Sequence, residues 1–179
     1  MSTTNQLYLQ GIYRDVLRDA HGRIKLDSGW RANLVVDNAR KLLAAFLKND
    51  TNSPSPLGIQ SLQIGKGEST WDDALPTPAA TDEGLHDPAP FIVPNNRLQI
   101  DYLNDSDLVV TGPTMRLQVT VTLQPGEPPS VGATLNYPLR EFGLFGNLGS
   151  TPFMIDYVIH PVINKGEEDT FIRSVRLIF

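Results

Sequence analysis

Hydrophobic and polar residues alternate with a period of two along most of this chain. Leu7 and Leu9 alternate with Tyr8 and Gln10, and Ile12 and Val16 follow among polar residues, as expected of a strand. His21-Gly22 reads as a tight turn, and Arg23-Ile24-Lys25-Leu26 alternates again. Residues 1–27 are therefore expected to form a hairpin, or an arm that packs on a neighbour. The period then changes. Val35, Ala39, Leu42, Leu43 and Phe46 recur at spacings of four, three, one and three and make one apolar stripe, which predicts an amphipathic helix. Asp27 or Ser28 is expected to cap its first turn. Arg40, Lys41 and Lys48 are expected in its later part, where cations suit the negative end of the dipole. The run Asn49-Asp50-Thr51-Asn52-Ser53-Pro54-Ser55-Pro56 ends it.

Period two returns in Ile59-Gln60-Ser61-Leu62-Gln63-Ile64, stopped by Gly65-Lys66-Gly67. Residues 68–94 hold five prolines together with Asp72, Asp73, Asp82, Glu83 and Asp87. A loop of this length is uncommon inside a compact domain, so it is expected to be a binding excursion or a segment ordered by a neighbour. Further strands are expected at Arg97-Leu98-Gln99-Ile100-Asp101-Tyr102 and over Met115 to Leu123, the cleanest alternation in the chain. Gln124-Pro125-Gly126 turns the chain round. Leu139 to Phe145 is an apolar run cut by Arg140, Glu141 and Gly143. Phe153, Ile155, Tyr157 and Ile159 share one face of a strand, and Phe171, Arg173, Val175, Leu177 and Phe179 one face of the last. One helix with six to eight strands defines a mainly β (α+β) chain, an antiparallel β-sandwich-like domain with one N-terminal amphipathic helix. Its expected organisation is an arm or hairpin over 1–27 and a single domain over 28–179, carrying the proline-rich acidic loop at 68–94.

Composition sharpens this picture. The 179 residues suit one domain, and 40% are apolar, enough for a core. Fourteen glycines and fourteen prolines argue for frequent turns and against a bundle or coiled coil. A net charge of −5 repels the phosphate backbone, so nucleic acid is an unexpected partner. The absence of cysteine excludes disulfides, thiolate catalysis and Cys-ligated zinc. No window reaches 18 apolar residues, so no membrane insertion is expected. The N-terminal residues lack a basic region and an apolar core, so no secretory signal is read and synthesis in a cytoplasm is expected.

Candidate chemistry is sparse. Gly65-Lys66-Gly67-Glu68-Ser69 invites a phosphate-loop reading, but its glycines flank one residue instead of four and no helix is expected after it. Asp72-Asp73 and the trio Asp101, Asp105 and Asp107 lack the calcium-loop spacing and read as exposed acidic turns. His160, beside Pro161, is expected at a strand end and has no nucleophile elbow with it. Trp30 and Trp71 read as packing residues, with Trp71 in the acidic loop the better candidate for a protein contact. Asn49-Asp50-Thr51 and Asn104-Asp105-Ser106 match the glycosylation triplet and, with no secretory signal read, are expected to be chance matches. No catalytic residue, metal ligand or cofactor site is assigned.

The order of these features resembles the tail-collar fibre proteins of bacteriophages. Gly58-Ile59-Gln60-Ser61-Leu62-Gln63-Ile64-Gly65-Lys66-Gly67 is similar to that family's strand followed by Gly-x-Gly. The acidic, proline-containing stretch from Trp71 to Pro94 follows as it does there. Leu139-Arg140-Glu141-Phe142-Gly143-Leu144-Phe145-Gly146 resembles the family's most typical string, and Ile163-Asn164-Lys165-Gly166 its closing turn. A helix over 31–47 matches the opening helix, so the resemblance spans about residues 30–179. It implies a virion or tail-like particle component, assembled in the bacterial host cytoplasm. No shaft, repeat or receptor-binding tip follows, which favours an adaptor, baseplate or neck role in a phage tail or a contractile injection system.

The physical reading agrees with an assembly role. Gly143 is expected to permit a bulge or a close backbone approach. Arg140 and Glu141, flanked by apolar residues, are expected to find partners within the chain or across a subunit boundary. A chain closing on Val175-Arg176-Leu177-Ile178-Phe179 is expected to need a neighbour to cover that edge. Trp71, Asp72, Asp73, Arg140, Glu141, Phe142, Phe145 and Phe179 are the expected interface residues. The expected partners are further copies in a symmetric oligomer and other tail or baseplate proteins. The alternative is a carbohydrate- or peptide-binding β-sandwich module with its site at Trp71 and its loop.

Overall fold

A computed structural model describes residues 9–48, 56–130 and 135–179. The described residues form eleven strands and one α-helix. Chain order runs β1 (Gln10–Arg18), β2 (Ile24–Asp27), β3 (Arg31–Val35), α1 (Asp37–Lys48), β4 (Pro56–Gly65), β5 (Phe91–Pro94), β6 (Gln99–Leu103), β7 (Val109–Val110), β8 (Arg116–Leu123), β9 (Asn136–Leu148), β10 (Thr151–Gly166) and β11 (Thr170–Ile178). All pairings are antiparallel, in the order β5-β4-β9-β10-β3-β1-β11-β8-β6-β7, with β2 attached to β1. The expected mainly β, antiparallel class is what the chain adopts.

The ladder folds over at β3 into two halves that share one core. β1, β11 and β8 supply Tyr13, Leu17, Phe171, Val175, Leu177, Val119, Val121 and Leu123. β4, β9 and β10 supply Leu62, Ile64, Leu139, Phe142, Leu144, Ile155 and Val158 from the opposite side. The halves meet where the Tyr13 and Phe142 rings pack edge to face at 5.3 Å. The period of two has its physical cause here. β8 and β11 bury every second residue and leave the alternate ones half-buried on the outer face, where Thr120 and Ser174 meet across the ladder.

β1 and β2 pair as a hairpin that turns at Asp19 to Arg23 through Gly22 N–H to Asp19 O. β1 is an interior strand, with β11 along one edge and β2 and β3 along the other. The expectations for Leu7 and Tyr8, and for the run 49–55, lie outside the described residues.

Three expectations need correction. The helix begins at Asp37, not at Asp27 or Ser28, because residues 31–35 are pulled into β3 between β1 and β10. Asp27 instead takes Arg14 and the N–H of Gly29, while Ser28 Oγ accepts from Asp15 N–H and donates to Gly29 O. Arg40 and Lys41 consequently sit early in α1, paired with Asp37 and Asn38, not near its C-terminal end. The last strand has no edge for a neighbour to cover, since β11 lies between β1 and β8. His160 is inside β10, which continues past Pro161 to Gly166, with the ladder interrupted between Ile159 and Ile163.

Candidate functional site

The proline-rich acidic loop is built onto this chain's own sheet. Leu139 and Phe142, three residues apart, both enter the core, opposite the interrupted stretch of β10. That irregularity turns Arg140 and Glu141 toward the loop together. Arg140 grips Asp72 with two parallel bonds, Nε to Oδ1 at 2.8 Å and Nη2 to Oδ2 at 2.7 Å, and donates to Lys66 O. This fork holds the Asp72 carboxyl below its usual range. Glu141, fully buried, accepts from His86 N–H at 2.9 Å, Asp87 N–H at 2.7 Å and Tyr157 O–H at 2.6 Å. Desolvation first, and the Glu141 contact second, push the Tyr157 hydroxyl pKa far up, so it stays a donor.

Trp71 follows from the same docking. It lies in the 3-10 turn Ser69–Asp72, buried, with His86 across one side at 5.3 Å. Gly67 has φ +53, and a Cβ there would fall 2.4 Å from the Trp71 ring, so only glycine suits this position. Beneath the loop, Val36, Phe145, Met154 and Tyr157 form a second small core, with Leu34, Leu85 and Ile159 against it. β10 and β9 are therefore apolar on both faces, which explains the unbroken run around Phe145. Gly143 has the close approach expected of it, since a Cβ would meet Asp156 O at 2.9 Å. The loop ends as a strand, β5, paired with β4.

These contacts place each residue expected at an interface. Arg140 and Glu141 find their partners within the chain. Phe142 and Phe145 are core side chains, as is Trp71 under its loop. Asp72 is partly exposed but committed to Arg140, and Asp73 is exposed. Phe179 alone among the aromatic members reaches the surface, 38% exposed, at a different place.

That place is an apolar cleft of about 580 Å³ at the unclosed side of the sandwich. β5 covers β4 only from Ser61 to Ile64, so Gly58 and Ile59 line the gap, facing Ile100 and Tyr102 of β6. Leu43 and Phe46 of α1 and Phe179 complete the rim. Phe46 is 62% exposed. The cleft was half legible in the sequence. The stripe of α1 names Leu43 and Phe46, and the alternation of residues 97–102 names Ile100 and Tyr102, but periodicity does not say that no described strand covers them.

Other candidates resolve into internal pairs. Asp15 and Arg173 face each other on β1 and β11, both buried, with bonds of 2.6 and 2.7 Å. The guanidinium stacks on Phe142 at 3.8 Å and touches His160 Nε2 at 2.8 Å. His160 Nδ1–H donates to Pro161 O, so Nε2 accepts from Arg173 and the ring is neutral. Burial, and next the Arg173 charge, lower its pKa to about 4. With both ring nitrogens engaged, it has no lone pair to offer a nucleophile. Lys66 N–H donates to Asp87, and a 3-10 turn follows, so this segment makes no phosphate loop. Asp105 and Asp107 face Arg116, and Asp107 also faces Arg176. Among the described residues no group of three His, Asp or Glu side chains is placed to hold a metal ion, and no helix is long and apolar enough to cross a membrane. Comparison with family models, curated proteins and solved structures finds no match to this chain.

Proposed function

We propose that this chain is a structural assembly protein of a phage tail or phage-tail-like particle, a fibre-attachment, baseplate or neck adaptor that works through protein–protein contacts and transforms no substrate. In this reading it meets further copies of itself in a symmetric oligomer and other tail or baseplate proteins. The observation that carries the proposal is the cleft. The described residues cover the outer sheet face with the docked loop, yet among them Leu43, Phe46, Ile100, Tyr102 and Phe179 stay open to solvent on one side. Contiguous apolar surface of this kind marks an interaction site. The motif order described above supplies the class of particle.

The test is the mass of the chain in solution. Light scattering is expected to show association that rises with concentration. Phe46→Glu is expected to abolish it while leaving the circular dichroism and melting temperature unchanged, because Phe46 is mostly exposed already. A wild-type chain that stays monomeric at high concentration, alone and mixed with tail and baseplate proteins, would overturn the proposal. The alternative, a carbohydrate- or peptide-binding module, keeps only its peptide form: the cleft lining suits apolar side chains, whereas Trp71 is buried and offers no sugar platform. A monomer that binds an apolar peptide and no particle protein would favour it.

A further inference from the structure

We propose that Asp156 is a proton-operated latch on the joint between the two half-sheets, closed when its carboxyl is protonated and loosened when it ionises. Among the described residues, β3 is the one strand that belongs to both halves. Toward β10 it is held only through Asp156 with Val35 and Tyr157 with Leu34, and by Val36 N–H to Ile155 O just beyond. Asp156, fully buried, sits at this joint next to an irregularity in β10. Its Oδ1 accepts from Leu144 N–H of β9 at 2.7 Å, and its Oδ2 lies 2.5 Å from Asn33 Nδ2 of β3. One carboxyl thus ties three strands.

Among the described residues no cation is paired with it. The charge that acts on it is Arg173 of β11, whose fork is already closed on Asp15 of β1. An ionised carboxylate at this depth lacks a counter-charge, and such a group takes up a proton to remain buried. The partner is built for both states. Asn33 Oδ1 is buried without a hydrogen bond and rests against Gly11 on β1. With the amide as it stands, Nδ2 donates to an ionised Oδ2, but a neutral amide brings no counter-charge and the buried carboxylate keeps its desolvation penalty, so this state holds the joint more weakly. With the amide turned over, a protonated Oδ2–H donates to Asn33 Oδ1. Proton uptake and amide reversal are one event, and each orientation leaves the other Asn33 atom over Gly11.

Burial raises the carboxyl to about 7, against smaller lowering effects of Leu144 N–H, Arg173 and Asn33. The sign follows from linkage. A carboxyl is ionised in the unfolded chain above about pH 4. Asp156 therefore favours the folded state fully below that pH, loses this advantage as pH rises to about 7, and changes nothing above it. His160, on the same strand and against Arg173, acts with the opposite sign: it charges in the unfolded chain below about 6.5 but only near 4 in the folded one. The two slopes offset each other between those values, so the wild-type curve alone conceals the latch and the comparison with an Asp156 variant reveals it.

The experiment uses the full chain. The carboxyl carbon of Asp156 is followed by NMR, and a midpoint near neutrality is expected; a midpoint below 5 overturns the proposal. The folding equilibrium constants of wild type and Asp156→Asn are then compared at pH 4 and pH 7. Their ratio is expected to fall by about 250-fold, because the unfolded carboxyl is half-titrated at the lower pH and the folded one at the upper, and a constant ratio overturns the proposal. Should the variant not fold, amide exchange in the wild type decides. After correction for intrinsic rates, protection at Val35 and Asp156 is expected to drop between pH 6 and 8 ahead of β8 and β11. Protection at Val35 and Asp156 that holds over this range, or that falls no earlier than in β8 and β11, would overturn the latch.

Discussion

Replacing Glu141 by Gln removes one charge and one acceptor from a buried site that satisfies three donors. Oε2 receives His86 N–H and Tyr157 O–H, and Oε1 receives Asp87 N–H. The amide has one oxygen. One orientation places that oxygen at the Oε2 position and keeps two bonds. Its NH2 then faces Asp87 N–H across 2.7 Å, donor against donor. Loss of a charge-assisted bond together with an unsatisfied buried donor costs about 3 kcal/mol. In the reverse orientation the NH2 donates to Tyr157 Oη, whose hydroxyl can accept, and faces His86 N–H instead, so one backbone donor is stranded either way. The loop has a way out, because it can lift from the sheet and give its amides to water. Lifting uncovers Phe145, Met154 and Tyr157, whose second small core includes Leu85 of the loop. The Arg140–Asp72 fork resists it, though Asp72 is 39% exposed and that pair is worth less. The expected result is a local opening and not global unfolding. Amide exchange at His86 and Asp87 should accelerate by about two orders of magnitude, and proteolysis should begin within residues 73–90. Exchange at Val119 and Val175 in the main core should change far less. Unchanged protection at His86 and Asp87 would refute the clamp, and equal loss in both regions would refute its local character.

Leu144→Asp should abolish soluble folding, since Leu144 is fully buried and an unpaired carboxylate would replace it; a folded, soluble variant detected by circular dichroism would contradict this core assignment. Arg173→Met should lower stability in urea by about 3–5 kcal/mol by stranding Asp15, whereas Asp15→Leu combined with Arg173→Met should cost less than either single change. An additive double variant would mean that the pair is not coupled. Gly67→Ala should unseat Trp71 and shift its fluorescence to the red, a change absent if the ring does not rest on that residue.

The alternation at Met115 to Leu123 and at Phe171 to Phe179 was readable because burial on one face of an antiparallel strand enforces a period of two. The amphipathic stripe of α1 was readable for the analogous reason. What the period could not convey is which strand lies beside which. Residues 31–35 carry a pattern continuous with the helix stripe, and only the places left open beside β1 and β10 turn them into β3. The docking of residues 68–94 also depends on distant partners. Prolines and acidic residues have no period, and their order comes from Arg140 and Glu141, more than fifty residues further along the chain.

The candidate sites divide in the same way. That Arg140 and Glu141 needed partners followed from two charges set in an apolar run; that both partners lie in one loop followed from an irregularity in the β9–β10 ladder. Asp15 and Arg173 each interrupt an apolar face, and register alone sets one against the other. Local alternation and composition determined the class of fold, the helix stripe and the burdened charges, because those depend on neighbours one to four residues away. Pairing across the sheet decided the closed loop, the open cleft and the buried Asp156, because each is made by segments that meet only after the ladder has folded back on itself.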